Sequence, residues 1–191
     1  MYIAIEGIDT AGKSTQIALL KEAFSDAVFT KEPGATPIGH QVRDIVLSGK
    51  VKSSKAELLL FLADRAEHLE EVIKPNREKM LISDRSVVSG VAYAMVKENI
   101  SLDEILKLNH FATDGIYPEK VFLLELTPQE LENRLSQKEL DGIESRGTEY
   151  LLKIQEALKT AAKTLATELI IIDAKRSIES ISQGIINNIH D

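Results

Sequence analysis

The segment Gly7-Ile8-Asp9-Thr10-Ala11-Gly12-Lys13-Ser14-Thr15 follows a short apolar run, residues 2–6, and opens into an amphipathic stretch. Its pattern, G-x-x-x-x-G-K-[ST] between a strand and a helix, is that of a loop that wraps phosphate. The glycines let the backbone curl tightly, so that its N–H groups point inward at phosphate oxygens. The start of the following helix adds a positive dipole end. Lys13 supplies a mobile charge for β- and γ-phosphates, and the Ser14 hydroxyl is a ligand for Mg²⁺. A chain built around this loop is therefore expected to bind a nucleotide at the edge of an α/β sheet. The four variable residues Ile8, Asp9, Thr10 and Ala11 bring no cation, so positive charge must converge on the loop from elsewhere. Asp9, an acid inside a phosphate loop, is expected to turn away from the phosphates.

Short apolar runs alternate with longer amphipathic ones along the 191 residues. Strands are predicted at residues 2–6, 27–31, 80–83, 120–125 and 168–173, each rich in Val, Ile or Leu as a strand covered on both faces should be. Helices are predicted at residues 14–24, 39–47, 53–73, 87–97, 103–111, 128–137, 148–165 and 178–189. The helix at 53–73 places Leu58, Leu59, Leu62, Leu69 and Ile73 at helical spacing. Ser101 with Glu104, and Thr127 with Glu130, have the spacing of capping boxes, with Pro128 at a first helical position. Strands alternating with helices imply a three-layer α/β/α P-loop NTPase fold around a five-stranded parallel sheet. No tract divides the chain, so residues 1–191 are expected to form a single domain.

A net charge of −7 argues against a broad nucleic-acid-binding face. The absence of cysteine excludes disulfides and thiolate metal sites and suits a reducing compartment. No apolar run reaches the ~20 residues of a bilayer span, and the N-terminus lacks the features of a secretory signal, so a cytoplasmic protein without membrane partners is expected. The four histidines, His40, His68, His110 and His190, are dispersed, form no metal-ligand pattern, and read as surface or helix residues.

The third strand ends in Ser83-Asp84-Arg85. Asp84, at a carboxyl strand end facing the loop, is placed to hold Mg²⁺ directly or through water, and Arg85 to bridge two sets of phosphates. The D-x-x-G and N-K-x-D motifs of a GTPase are missing there and downstream. Four segments in register then resemble the thymidylate kinases, over essentially the whole chain: residues 6–16 (EGIDTAGKSTQ), 31–39 (KEPGATPIG), 60–68 (LFLADRAEH) and 84–93 (DRSVVSGVAY).

The resemblance implies transfer of the γ-phosphoryl of MgATP to dTMP, with the loop Gly7–Thr15 as the ATP site, Mg²⁺ as cofactor, and a homodimer. It implies that Arg43 and Arg65 hold the acceptor's 5′-phosphate and neighbouring groups, work that a planar guanidinium suits. It gives Phe61 the task of stacking on thymine, although by periodicity alone Phe61 reads as core. It gives Asp9 the deoxyribose 3′-hydroxyl, Glu32-Pro33 a turn of the substrate pocket, and Tyr93 the 2′-position of the sugar. Arg85, Ser89 and Gly90 fall in the same substrate-binding set. Where the family has a tyrosine after Asp-Arg this chain has Ser86. Gly90 and Ala94 stand where many bacterial members carry Ser or Asn, and Gln, near the base. Residues 134–146 (RLSQKELDGIESR) resemble the family's lid, with Arg134 placed to stack on adenine. Lys138 and Arg146 remain as its candidates for the transition-state cation.

Overall fold

The computed structural model describes residues 1–97, 100–137, 147–166 and 168–190. Five strands form one parallel sheet: β1 (Tyr2–Glu6), β2 (Val28–Lys31), β3 (Leu81–Asp84), β4 (Lys120–Glu125) and β5 (Glu168–Asp173), in the order β2-β3-β1-β4-β5. Ile5 pairs with Asp84, and Lys31 with Asp84, so the carboxyl ends of β1, β2 and β3 come level. The chain crosses from one side of β1 to the other after β3, and the crevice at such a switch point is where open α/β sheets hold ligands.

The helices are α1 (Lys13–Ala23), α2 (Pro37–Leu47), α3 (Ser54–His68), α4 (Val87–Val96), α5 (Leu102–Thr113), α6 (Pro128–Leu135), α7 (Thr148–Leu165) and α8 (Ile178–His190). On the sheet, α1 packs with α8, while α4 packs with α7 and α5. The central strands are apolar on both faces, with Ile3, Ile5, Ile82, Phe122 and Leu123 fully buried. They meet Leu20 of α1, Val88 and Val91 of α4 and Leu158 of α7 in one core.

The single helix expected at 53–73 divides. After α3 the chain makes a π-helical turn, Leu69–Ile73, then a 3₁₀ turn, Lys74–Asn76, which contains Pro75. Proline cannot continue the regular ladder. The wide turn aims Leu69 and Ile73 at Tyr2 and Leu81, a small core of their own at the amino-terminal ends of β1 and β3. Leu59, expected on the buried face, is 59% exposed, one residue out of phase with Leu58 and Leu62. The capping box at Ser101 and Glu104 forms with both its bonds. That at Thr127 forms by half: Thr127 accepts from Glu130 N, whereas the Glu130 carboxylate accepts from Arg134 Nε one turn on.

Candidate active site

Gly7 leaves β1 at φ +154°, and a Cβ there would press within 3.0 Å of Leu124 O and Ala11 Cβ, so only glycine makes this turn without strain. The loop then closes onto α1, whose first residue is Lys13. The Lys13 ammonium donates to Gly7 O (2.9 Å) and Ile8 O (3.0 Å). Burial, with the nearby Arg85 charge adding to it, pulls its pKa down to about 8.

At the end of β3, Arg85 adopts φ +65°, a left-handed conformation that costs a non-glycine residue of the order of 1 kcal/mol or more. Its backbone N–H is tied to Ile5 O, and its guanidinium binds Gly7 O (3.1 Å), Ser89 Oγ (3.1 Å) and Asp9 Oδ1 (2.6 Å). These contacts hold the strained backbone and set Arg85 across the mouth of the phosphate loop. Tyr93, two turns along α4, lays its ring 5.7 Å from the guanidinium carbon. Its buried hydroxyl pairs with no described residue, and burial pushes its pKa up to about 12.

An open cleft of about 400 Å³ joins these parts. Its walls include Asp9, Thr10, Gly12, Lys13, Ser14 and Thr15 of the loop, Lys31 and Glu32 at the end of β2, Arg43 of α2, and Asp84 and Arg85. Four cations thus face a cleft on a chain whose overall charge is −7. Ser14 and Asp84 both line it, a hydroxyl and a carboxylate of the kind that hold Mg²⁺ together with phosphate oxygens and water. No cluster of three or more His, Asp or Glu side chains fit to hold a metal by protein ligands alone is present among the described residues.

Behind the cleft lie groups that motif reading passed over. Glu6, fully buried at the end of β1, accepts hydrogen bonds from Ser86 Oγ (2.7 Å) and Ser89 Oγ (2.5 Å). Burial raises its pKa, against the opposing pull of those hydroxyls and Arg85. Ser86, which departs from the family's tyrosine, therefore has two tasks, since its hydroxyl also caps α4 by accepting from Val88 N. Arg65, expected at the acceptor phosphate, is only 3% exposed; Nε donates to Glu32 Oε2 (3.0 Å) and Nη1 to Asn109 Oδ1 (2.6 Å). Burial of Glu32 would raise its pKa, but the Arg65 charge and the His68 contact outweigh it and hold the group below its ordinary value. His68 is fully buried too.

Glu32–Pro33 is a cis peptide bond. Arg43 Nη1 donates to Pro33 O (3.2 Å). Phe61 stands half-buried one turn before Arg65 on α3. A Cβ built on Gly90 would lie 3.0 Å from Arg65 Cζ and overlap Nη2, so the missing side chain makes room for the arginine. Arg134 donates to Thr10 O (2.9 Å), Ala174 O (2.7 Å) and Glu130 Oε1 (2.8 Å), which ties the phosphate loop to the segment after β5. Lys138 and Arg146, the candidate lid cations, lie outside the described residues.

Comparison with known proteins agrees with this geometry. The family model described as thymidylate kinase matches residues 5–185. The thymidylate kinase of Sulfurimonas denitrificans is 68% identical over 190 residues, covering 100% of both chains. That of Wolinella succinogenes is 56% identical, over 98% of this chain and 97% of its own. The crystal structure of thymidylate kinase from Ehrlichia chaffeensis superposes with a TM-score of 0.80 at 28% identity, covering 99% of this chain and 98% of that one. The strand order, the phosphate loop and the arginine-lined cleft thus meet in one assignment: the chain belongs to the thymidylate kinase family.

Proposed function

We propose that this protein transfers the γ-phosphoryl group of ATP to the 5′-phosphate of dTMP, giving dTDP and ADP, within a single kinase domain spanning residues 1–191. The observation that carries the reading is the cleft itself, in which the phosphate loop and Lys13 face Arg43 and Arg85 across one polar space. An oxygen of the acceptor phosphate attacks the γ-phosphorus, a bond to it forms, and the bond to the β-phosphate oxygen breaks to release ADP. The acceptor is already an anion, so no general base is needed, and catalysis rests on positioning and charge stabilisation. Lys13 and the loop amides hold the donor phosphates, and Arg85 stands between donor and acceptor sides. Ser14 and Asp84 would hold Mg²⁺, which when bound neutralises charge on the donor phosphates.

On the acceptor side the proposal assigns Arg43, Arg85 and Arg65 to the phosphate and its neighbours and Asp9 to the sugar 3′-hydroxyl. Phe61, Glu32, Pro33, Ser89, Gly90 and Tyr93 complete the nucleoside pocket. Arg134 stacks on adenine, and Lys138 or Arg146 of the lid, residues about 134–146, supplies the further cation. Location and assembly follow the same reading, a cytoplasmic homodimer. In support of the dimer, Leu59 of α3 and Phe111 of α5, on helices that pack together, are 59% and 83% exposed.

The experiment is a coupled assay of ADP release with MgATP and dTMP. ADP formation that requires dTMP is expected; ATP hydrolysis indifferent to any monophosphate would overturn the reading.

A further inference from the structure

We infer that Asn109 and His68 are positioning residues of the acceptor pocket, fixing the Arg65 guanidinium directly and through Glu32. The inference rests on the reading of Arg65 as a substrate-binding residue.

Asn109 is fully buried in α5, an element that contributes no other residue to the site. Its amide nitrogen donates to Ile105 O (2.7 Å), which fixes the amide orientation and turns Oδ1 toward Arg65 Nη1. Arg65 Nε is held at the same time by Glu32 Oε2. Two nitrogens of a planar group pinned by two separate elements fix both its position and its plane. The third nitrogen, Nη2, lies against the bare backbone of Gly90.

Glu32 is itself clamped. Its second oxygen, Oε1, lies 2.9 Å from His68 Nδ1, and His68 Nε2 lies 2.6 Å from Thr30 Oγ1. An ionised carboxylate only accepts, so the proton at Nδ1 points to Glu32, and the chain ends on Thr30, the next-to-last residue of strand β2. Thr30, His68, Glu32, Arg65 and Asn109 thus form one line of bonds from the sheet to α5.

A buried ion pair is poor evidence of a stability role, because desolvation offsets much of the attraction. What the line secures is geometry: its middle member, Glu32, lines the cleft, and the guanidinium it holds lies against Gly90, which follows Ser89 on the helix behind Arg85.

Steady-state kinetics of the full-length protein test this, with folding followed by circular dichroism. Asn109→Ala is expected to raise the KM for dTMP about tenfold, the scale of one lost buried hydrogen bond, with kcat and the KM for ATP within about twofold. Asn109→Asp keeps the oxygen that accepts from Arg65 but loses the donor to Ile105 O, so its KM for dTMP is expected to fall between those of the parent and Asn109→Ala. His68→Gln, further from Arg65, is expected to raise the KM for dTMP by a smaller factor, and it carries the test should Asn109→Ala not fold. On an Arg65→Ala background neither substitution should raise the KM further. An unchanged KM for dTMP in both variants, or the same factor with and without Arg65, would overturn the inference. If Arg65→Ala alone left the KM for dTMP unchanged, the substrate-binding reading of Arg65 would fail first and this inference with it.

Discussion

Lys13 has to be charged to attract phosphate, yet its burial in the loop, with the Arg85 charge nearby, holds its pKa near 8. Phosphate binding favours the ammonium form, so the bound pKa must rise. At pH values below about 7 the lysine is protonated in both states and no proton moves. Above pH 8 the free protein carries a neutral fraction, and nucleotide binding takes up protons. Calorimetry of MgADP binding at pH 8.5, in two buffers of different ionisation enthalpy, is expected to detect this uptake, and Lys13→Met to remove it. At Gly90 the expectation is steric: Gly90→Ala must displace the Arg65 guanidinium and raise the KM for dTMP roughly tenfold or more, read in the same coupled assay.

Much of the phosphate side was legible at this scale, because Gly7, Gly12, Lys13 and Ser14 form one continuous motif after β1, and Asp84 and Arg85 stand together at the end of β3. The bracing residues were not, because their partners lie 33 to 44 positions away. One signal for them does exist in the sequence. Arg65 falls three residues after Leu62 and four before Leu69, in phase with the apolar stripe of its helix, which marks a buried arginine in need of a partner.

Among the elements, those with strong periodic patterns match their expected positions to within a few residues, and β1, β4, β5 and α7 match at both ends. The segment 53–73 does not, because the switch to a π turn answers to Tyr2, on a strand far away in sequence, and to Leu81 at the start of the next strand. Helix α5 carries Asn109, and its first turn depends on a local device. The Ser101 hydroxyl accepts from Glu104 N (3.3 Å) while the Glu104 carboxylate takes the backbone N–H of Ser101 (3.2 Å). Ser101→Ala is expected to cost about 1 kcal/mol, a fall in Tm of about 2–4 °C for a chain of this size, by thermal denaturation. Leu131 of α6 is fully buried where that helix meets the core. Leu131→Ala is expected to cost about 2–5 kcal/mol by urea denaturation, with the loss appearing in the midpoint rather than in the slope.

For the whole molecule, the sheet order β2-β3-β1-β4-β5 brings residues from four separate segments to one cleft, where Lys13, Lys31, Arg43 and Arg85 gather on a chain that is acidic overall. This explains how a chain of net charge −7 can bind two polyanions at once, and why dTMP binding is expected to weaken as salt rises. The proposed homodimer belongs to this scale as well. Sedimentation is expected to give a dimer, and Phe111→Glu to shift it toward monomer if the exposed apolar surface of α5 is the contact.

Arginines that hold a nucleoside monophosphate by its phosphate should reject an acceptor without one, and a panel of acceptors with MgATP shows whether they do. With dTMP, dUMP, dCMP and thymidine compared at equal concentration, fast ADP formation is expected with dTMP and none with thymidine, which brings no phosphate for Arg43, Arg65 and Arg85 to hold. Turnover of thymidine as fast as that of dTMP, or ADP formation unaffected by any acceptor, would contradict the account.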